Sequence, residues 1–122
     1  MAPLKRIESA LRTYAAGFPE AWPDEPWEGD PVYKVGKKIF VFFGHRDADH
    51  IGLTVKLPES GEFALTLPFT SVPGYGLGRG GWVTASFGPG DEVPTDILKD
   101  WIDESYRTIA PKKLVRLLDD DQ

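Results

Sequence analysis

The sequence predicts a single α+β domain: an antiparallel sheet of four or more strands packed against an N-terminal and a C-terminal helix. Three observations carry this expectation. Stretches near both ends repeat apolar residues at intervals of three and four, the period of an amphipathic helix. Between them lie short β-branched and aromatic segments separated by turn sequences. The length, 122 residues, suffices for one well-buried core but not two. Four Trp, four Tyr and seven Phe supply that core without a metal or disulfide staple.

At the N-terminus Leu4, Ile7, Leu11 and Tyr14 fall on one helical face, with Pro3 to open the helix and Gly17 to close it. The next stretch, "FPEAWPDEPWEGDP", interleaves four prolines with acidic residues and shows no period. It reads as an extended loop whose two tryptophans, Trp22 and Trp27, lie against the body. "VYKVGKKIFVFFG" is a hairpin turning at Gly36 and Lys37. "IGLTVKL" is a third strand, reached through the polar turn "HRDADH". In "PESGEFALTL", Phe63, Leu65 and Leu67 alternate as in a strand, yet Pro58, Glu59 and Ser60 resemble a helix start, and a short helix is the reading adopted.

"GWVTASFG" is a strand by composition, preceded by a glycine-rich loop. "PTDILKDWIDESYRTIA" then brings Ile97, Leu98, Trp101, Ile102, Tyr106 and Ile109 to one face of a long helix, acidic in its first turn and with Arg107 near its end. Pro111 stops this helix and opens a last one through Leu118. The domain is therefore expected to span residues 1–118, with 119–122 as a disordered acidic tail.

The net charge is −5, unevenly spread: −3 over residues 1–30 (three basic, six acidic), +2 over 31–88 (six and four) and −4 over 89–122 (five and nine). The middle alone is basic. The chain has no cysteine, which removes disulfides, thiolate nucleophiles and Cys-based metal sites. Its longest apolar run, residues 39–43, is far below the about 20 residues that span a bilayer, and no signal sequence opens the chain. A cytoplasmic protein without membrane contact is expected.

Two coincidences suggest a nucleotide site. "GLGRGGWV" matches the G-x-G-x-x-G-x-V that covers ATP in protein kinases, through Gly76, Gly78, Gly81 and Val83, and "HRD" occurs at residues 45–47. A kinase places the glycine loop before the HRD; here the order is reversed, and Gly52 stands where the catalytic-loop Asn would be. A dinucleotide loop leads into a helix, whereas a strand is expected after Gly81. No nucleotide and no cofactor are therefore expected. His45, Asp47, Asp49 and His50 invite a metal reading, but no second cluster completes a site, and a solvated turn is the simpler account. Asp103 and Glu104 fall on the expected exposed helix face, and Ser105 has no His near it in sequence. No catalytic constellation remains, so no enzyme is expected.

What does remain is a combination of cations and aromatics on the central sheet: Lys34, Lys37, Lys38 and Lys56, with Arg79 and Trp82 beside the glycine loop. Nucleic-acid surfaces use such a combination, cations for phosphates and aromatic faces for bases. The competing account makes the lysines an ordinary solvent face and Trp82 a core residue.

"YAAGFPEAW", "VYKVGKKIFVFF", "LTVKL", "YGLGRGGWVTASF" and "ESYRTIAPKKLVRLL", in this order and spacing, resemble the MmcQ/YjbR family of small bacterial proteins from Leu4 to Leu118. The family's "gKmFa" pattern falls on Lys38, Ile39 and Phe40, its strand lysine on Lys56, its tryptophan on Trp82 and its "SY" pair on Ser105 and Tyr106. Many members carry His, Asn and Lys where Gly76, Gly78 and Arg79 stand here, so this chain keeps only the cation. The resemblance implies a double-wing fold similar to that of the phage transcription factor MotA, and with it weak DNA binding, a label that rests on analogy of fold. Two partner classes stay open: DNA, and a protein that docks on the apolar and glycine-rich edge at residues 75–82.

Overall fold

The structure, a computed structural model, describes residues 4–27, 30–44, 50–74 and 80–120. Helix α1 (Leu4–Ala16) forms as its spacing predicts, burying Leu11 and Ala15, with Leu4, Ile7 and Tyr14 packed at the margin of the core.

The stretch expected to be a loop is instead strand β1 (Ala21–Trp27), paired antiparallel with β2 (Asp30–Val35) from Ala21↔Val35 to Trp27↔Asp30. Its prolines are compatible with a strand because β1 lies at the sheet edge, where an N–H can be missing without breaking a second ladder. Trp22 is 41% exposed and lies along the sheet, its indole N–H on the Gly36 carbonyl (3.0 Å). The side chain of Trp27 lies outside the described residues.

Strand β2 turns into β3 (Lys38–Gly44) at Gly36 and Lys37 as expected. Gly36 has φ +63, a left-handed conformation in which a side chain is strained. Between Tyr33↔Val41 and Lys34↔Ile39 the register shifts, leaving Phe40 as an extra residue in β3. Strand β4 (Ile51–Lys56) pairs with β3 from Gly44↔Gly52 to Val41↔Val55. The short helix read in "PESGEFALTL" is α2 (Gly61–Ala64). After it, β5 (Thr70–Ser71), a strand not expected from the sequence, joins the far edge of β6 (Trp82–Phe87). The six strands are all antiparallel, in the order β1-β2-β3-β4-β6-β5.

Helix α3 (Thr95–Ile109) and α4 (Lys112–Asp120) complete the chain. Helix α4 runs two residues beyond its expected end at Leu118, and Asp119 accepts a bond from Arg107 (2.9 Å). The helices cover one face of the sheet. Val55, Leu53 and Ile51 of β4 and Val83, Ala85 and Phe87 of β6 alternate into that face, all at least nine-tenths buried.

Three consecutive residues of α3 attach it to the sheet. Ser105, fully buried, donates its hydroxyl to the carbonyl of Phe40 (2.5 Å) and accepts from the N–H of Lys56 (2.8 Å). The β3–β4 ladder ends one step earlier, so this hydroxyl joins the two strands where their direct pairing stops. Tyr106 stacks on Phe18 (4.6 Å between centroids), meets Phe40 edge-on (5.1 Å) and donates to the carbonyl of Pro19 (2.7 Å). Glu104 accepts from the N–H groups of Glu59 and Ser60 (3.0 and 3.1 Å) and from the Ser60 hydroxyl (2.6 Å). The exposed face expected for Asp103 and Glu104 is thus corrected: both are half-buried, and Asp103 bonds Arg107 (2.9 Å).

Replacing Ser105 by Ala removes one side chain but orphans two backbone groups. A loss of about 2–4 kcal/mol in urea-unfolding stability is expected. Burial raises the phenol pKa of Tyr106 above 10.0, with the Glu20 carboxylate adding to it; burial also raises that of Tyr14, helped by Asp103 and Asp100. Because the folded state holds these protons more tightly, their contribution is complete below the ordinary pKa of 10.0 and is lost as pH rises through the raised values. Thermal unfolding followed against pH should therefore fall above about pH 10, and less steeply in Tyr106→Phe than in the parent.

Candidate functional site

The face of the sheet opposite the helices carries the alternate side chains. Across its register lie Trp22 beside Lys34, Phe42 beside Thr54, Thr54 beside Thr84, and Lys56 beside Trp82. Thr54 and Thr84 share a hydrogen bond of 2.8 Å. Five of the six candidate residues named from sequence lie within the described residues; Arg79 lies outside them, as do Gly76 and Gly78 of the glycine loop and residues 45–49 of "HRDADH".

Trp82 is neither core nor free platform. Its neighbours Val83, Ala85 and Phe87 enter the core, so it points the other way, half-buried, with its ring edge-on to Phe42 at 5.4 Å between centroids. Lys56 stands next to it in the register, its backbone N–H held by Ser105 and its side chain on the open face.

Lys34 is already neutralised. Its ammonium lies 2.7 Å from the Asp24 carboxylate and 5.2 Å from the Trp22 ring centroid. The bond from Lys34 holds the Asp24 carboxyl below its ordinary pKa, aided by the N–H of Glu25. Asp24 is not visible as a partner from sequence, because the two residues meet only through the β1–β2 pairing and the proline-rich segment of β1 has no strand period. The Trp22 indole N–H in turn donates to the carbonyl of Gly36 (3.0 Å), tying the β1 edge to the hairpin tip. Lys37 and Lys38 occupy that tip, exposed and without an ion pair among the described residues.

The structure therefore groups Trp22, Lys34, Phe42, Lys56 and Trp82 on one face and puts Lys37 and Lys38 at its end. Such a face offers aromatic surface with cations at its margin. Strand β6 follows directly on Gly81, so the glycine run does not lead into a helix N-terminus. Ser105 is committed to backbone groups on both sides, the N–H of Lys56 and the carbonyl of Phe40.

A six-stranded antiparallel sheet with helices on one face and a "Ser-Tyr" anchor in α3 defines the class of this domain, and comparison with known proteins gives its family. The family model described as YjbR matches residues 16–108, and the chain belongs to that family. A Deinococcus radiodurans protein carrying a DUF419 domain has a similar structure, with a TM-score of 0.67 at 25% identity over 84% of this chain and 77% of that one. A Pseudomonas syringae protein shares the fold, with a TM-score of 0.59 at 19% identity over 89% of this chain and 99% of that one. Among curated proteins there is no match. Among the described residues no helix is long and apolar enough to cross a membrane.

The hairpin tip depends on the left-handed Gly36. Gly36→Ala should lower stability by about 1–2 kcal/mol, measured by urea unfolding.

Proposed function

We propose that this chain is a non-enzymatic domain that holds single-stranded DNA weakly across the open face of its sheet. The observation that supports this is the pair of cross-strand neighbours, Trp22 with Lys34 and Lys56 with Trp82, with Phe42 between them. Trp22 and Trp82 stand on strands four positions apart in the sheet, about 19 Å at ordinary strand spacing. Bases stack on aromatic faces while lysines at the margin meet phosphates.

The charge pattern favours a single strand over a duplex. With Lys34 bonded to Asp24, the candidate cations left to meet phosphate among the described residues are Lys37, Lys38 and Lys56. A duplex turns its phosphates outward and hides its base faces, so it would meet few cations and no stacking surface. Nonspecific affinity is expected at about 10⁻⁴ to 10⁻⁶ M at physiological salt, with log K falling against log salt at a slope of about −2 for three phosphate contacts.

A second reading has its own observation. Phe63, Leu65 and Val72 are 64%, 43% and 62% exposed around the β5 edge of the sheet. This apolar edge suits a protein partner, whose binding would be nearly indifferent to salt.

Fluorescence anisotropy with a labelled oligothymidine at about 20 mM and then rising salt separates the two. The parent should bind with the stated slope; Lys37→Glu with Lys38→Glu should weaken binding at least about tenfold while leaving the fold intact, since exposed turn residues contribute little to stability. Absence of binding at about 20 mM salt removes the DNA reading. Binding unchanged in the double variant removes the tip as the phosphate contact.

A further inference from the structure

On the helix side of the sheet, away from the open face, α1 and the start of β4 enclose a cleft of about 480 Å³, within the usual range for small-molecule sites. We propose that this cleft binds a small organic phosphate.

Its lining is rich in donors. Lys5, Ser9, Arg12 and Thr13 project from one flank of α1, spaced three and four apart so that successive turns present them together. Tyr33 and His50 close the opposite wall. The one carboxylate in the lining, Glu8, is engaged in an interaction of its own. Lys5 and Arg12 have no ion pair among the described residues. Arg12 is half-buried, and its condition contrasts with that of Lys34, held by Asp24, and Arg107, held by both Asp103 and Asp119.

Tyr33 supplies an independent observation. It is 7% exposed, and its hydroxyl has no hydrogen-bond partner among the described residues. No fully buried side-chain polar atom there lacks a partner. The Tyr33 oxygen therefore keeps access to solvent, and the cleft its residue lines provides it. The hydroxyl thus faces the cleft, where a ligand oxygen can take the place of water on it. Two cations and three hydroxyls, with the Glu8 carboxylate and the His50 imidazole each engaged in an interaction of its own, fit a dianion with several acceptor oxygens, which is what a phosphate monoester presents. The volume leaves room for an organic group besides the phosphate.

At this wall the His50 imidazole lies against Gly88. A Cβ on Gly88 would lie 2.8 Å from the imidazole Nε2, so a side chain there would make the ring shift from its position across the strand pair. Gly88 itself is held by the Asp91 carboxylate, which accepts its N–H at 2.7 Å.

Amide NMR titration of the intact chain with inorganic phosphate, ribose 5-phosphate and ribose tests the proposal. Both phosphates should give saturable shifts confined to α1, Tyr33 and Ile51, ribose 5-phosphate at least about threefold tighter, and ribose none. Arg12→Gln should weaken both by at least about tenfold and Tyr33→Phe by about threefold, with spectra otherwise like the parent's. Lys112→Gln, on α4, and the double hairpin-tip variant should bind like the parent. The proposal is overturned if neither phosphate saturates by about 20 mM, if shifts spread over the basic surface generally, or if Arg12→Gln binds as the parent does. Because the open face shares none of these residues, loss of DNA binding and loss of phosphate binding are separate outcomes.

Discussion

The architecture depends on the Ser105 hydroxyl lodged between β3 and β4. At Phe40 the β2–β3 register slips by one residue, and just there the β3–β4 ladder ends. Without a third group the carbonyl of Phe40 and the N–H of Lys56 would be left unpaired beneath a helix, and each buried orphan costs about 1–3 kcal/mol. Ser105 serves both, so the irregularity in the sheet and the seat of the helix are one feature. A bulge that would otherwise weaken the sheet becomes the point at which α3 is held.

The neighbours of Ser105 extend the attachment in different directions, because consecutive helical residues differ by about 100° around the axis. Tyr106 reaches the α1–β1 connection through Pro19 and the Phe18 ring, and Glu104 reaches the turn that leads into α2. One helical turn thus ties together the N-terminal helix, the central strands and the irregular segment after β4. Their polar groups are satisfied on the helix side, which leaves the opposite face with its own cross-strand pairs: Thr54 with Thr84, Phe42 with Trp82 and Lys34 with Trp22.

What could be read from the sequence follows the range of the forces involved. Helices α1 and α3 and the hairpin at Gly36 rest on local periodicity and on one glycine, and these were legible. Strand β1 was not, since Pro23 and Pro26 argue against a ladder and only its place at the edge removes the objection. Strand β5, two residues long, has no period to detect. The site suffered from the same gap. Asp24 faces Lys34 only through the β1–β2 pairing, so the sequence alone does not distinguish this neutralised lysine from a phosphate contact. The "Ser-Tyr" pair was visible as a family pattern, but its partners, Phe40, Lys56 and Pro19, lie between 49 and 87 residues away in the chain, beyond what spacing alone can connect.

The pairing of Lys34 also decides how the open face can act. A lysine already bonded to a carboxylate and lying over an indole gives little to an incoming phosphate, because binding it would first require giving up the Asp24 contact. It does hold the Trp22 ring in place, while the indole N–H fixes the same ring to the hairpin tip through Gly36. Trp82 is held likewise by Phe42. On the proposed reading the aromatic rings are pre-positioned surfaces and the mobile charge sits apart from them at Lys37 and Lys38. Stacking then sets where a strand lies, and the hairpin tip sets how its binding responds to salt. In the cleft beside α1 the arrangement is reversed: Arg12 is half-buried with no ion pair among the described residues, so on the proposed reading the charge there is what meets the ligand.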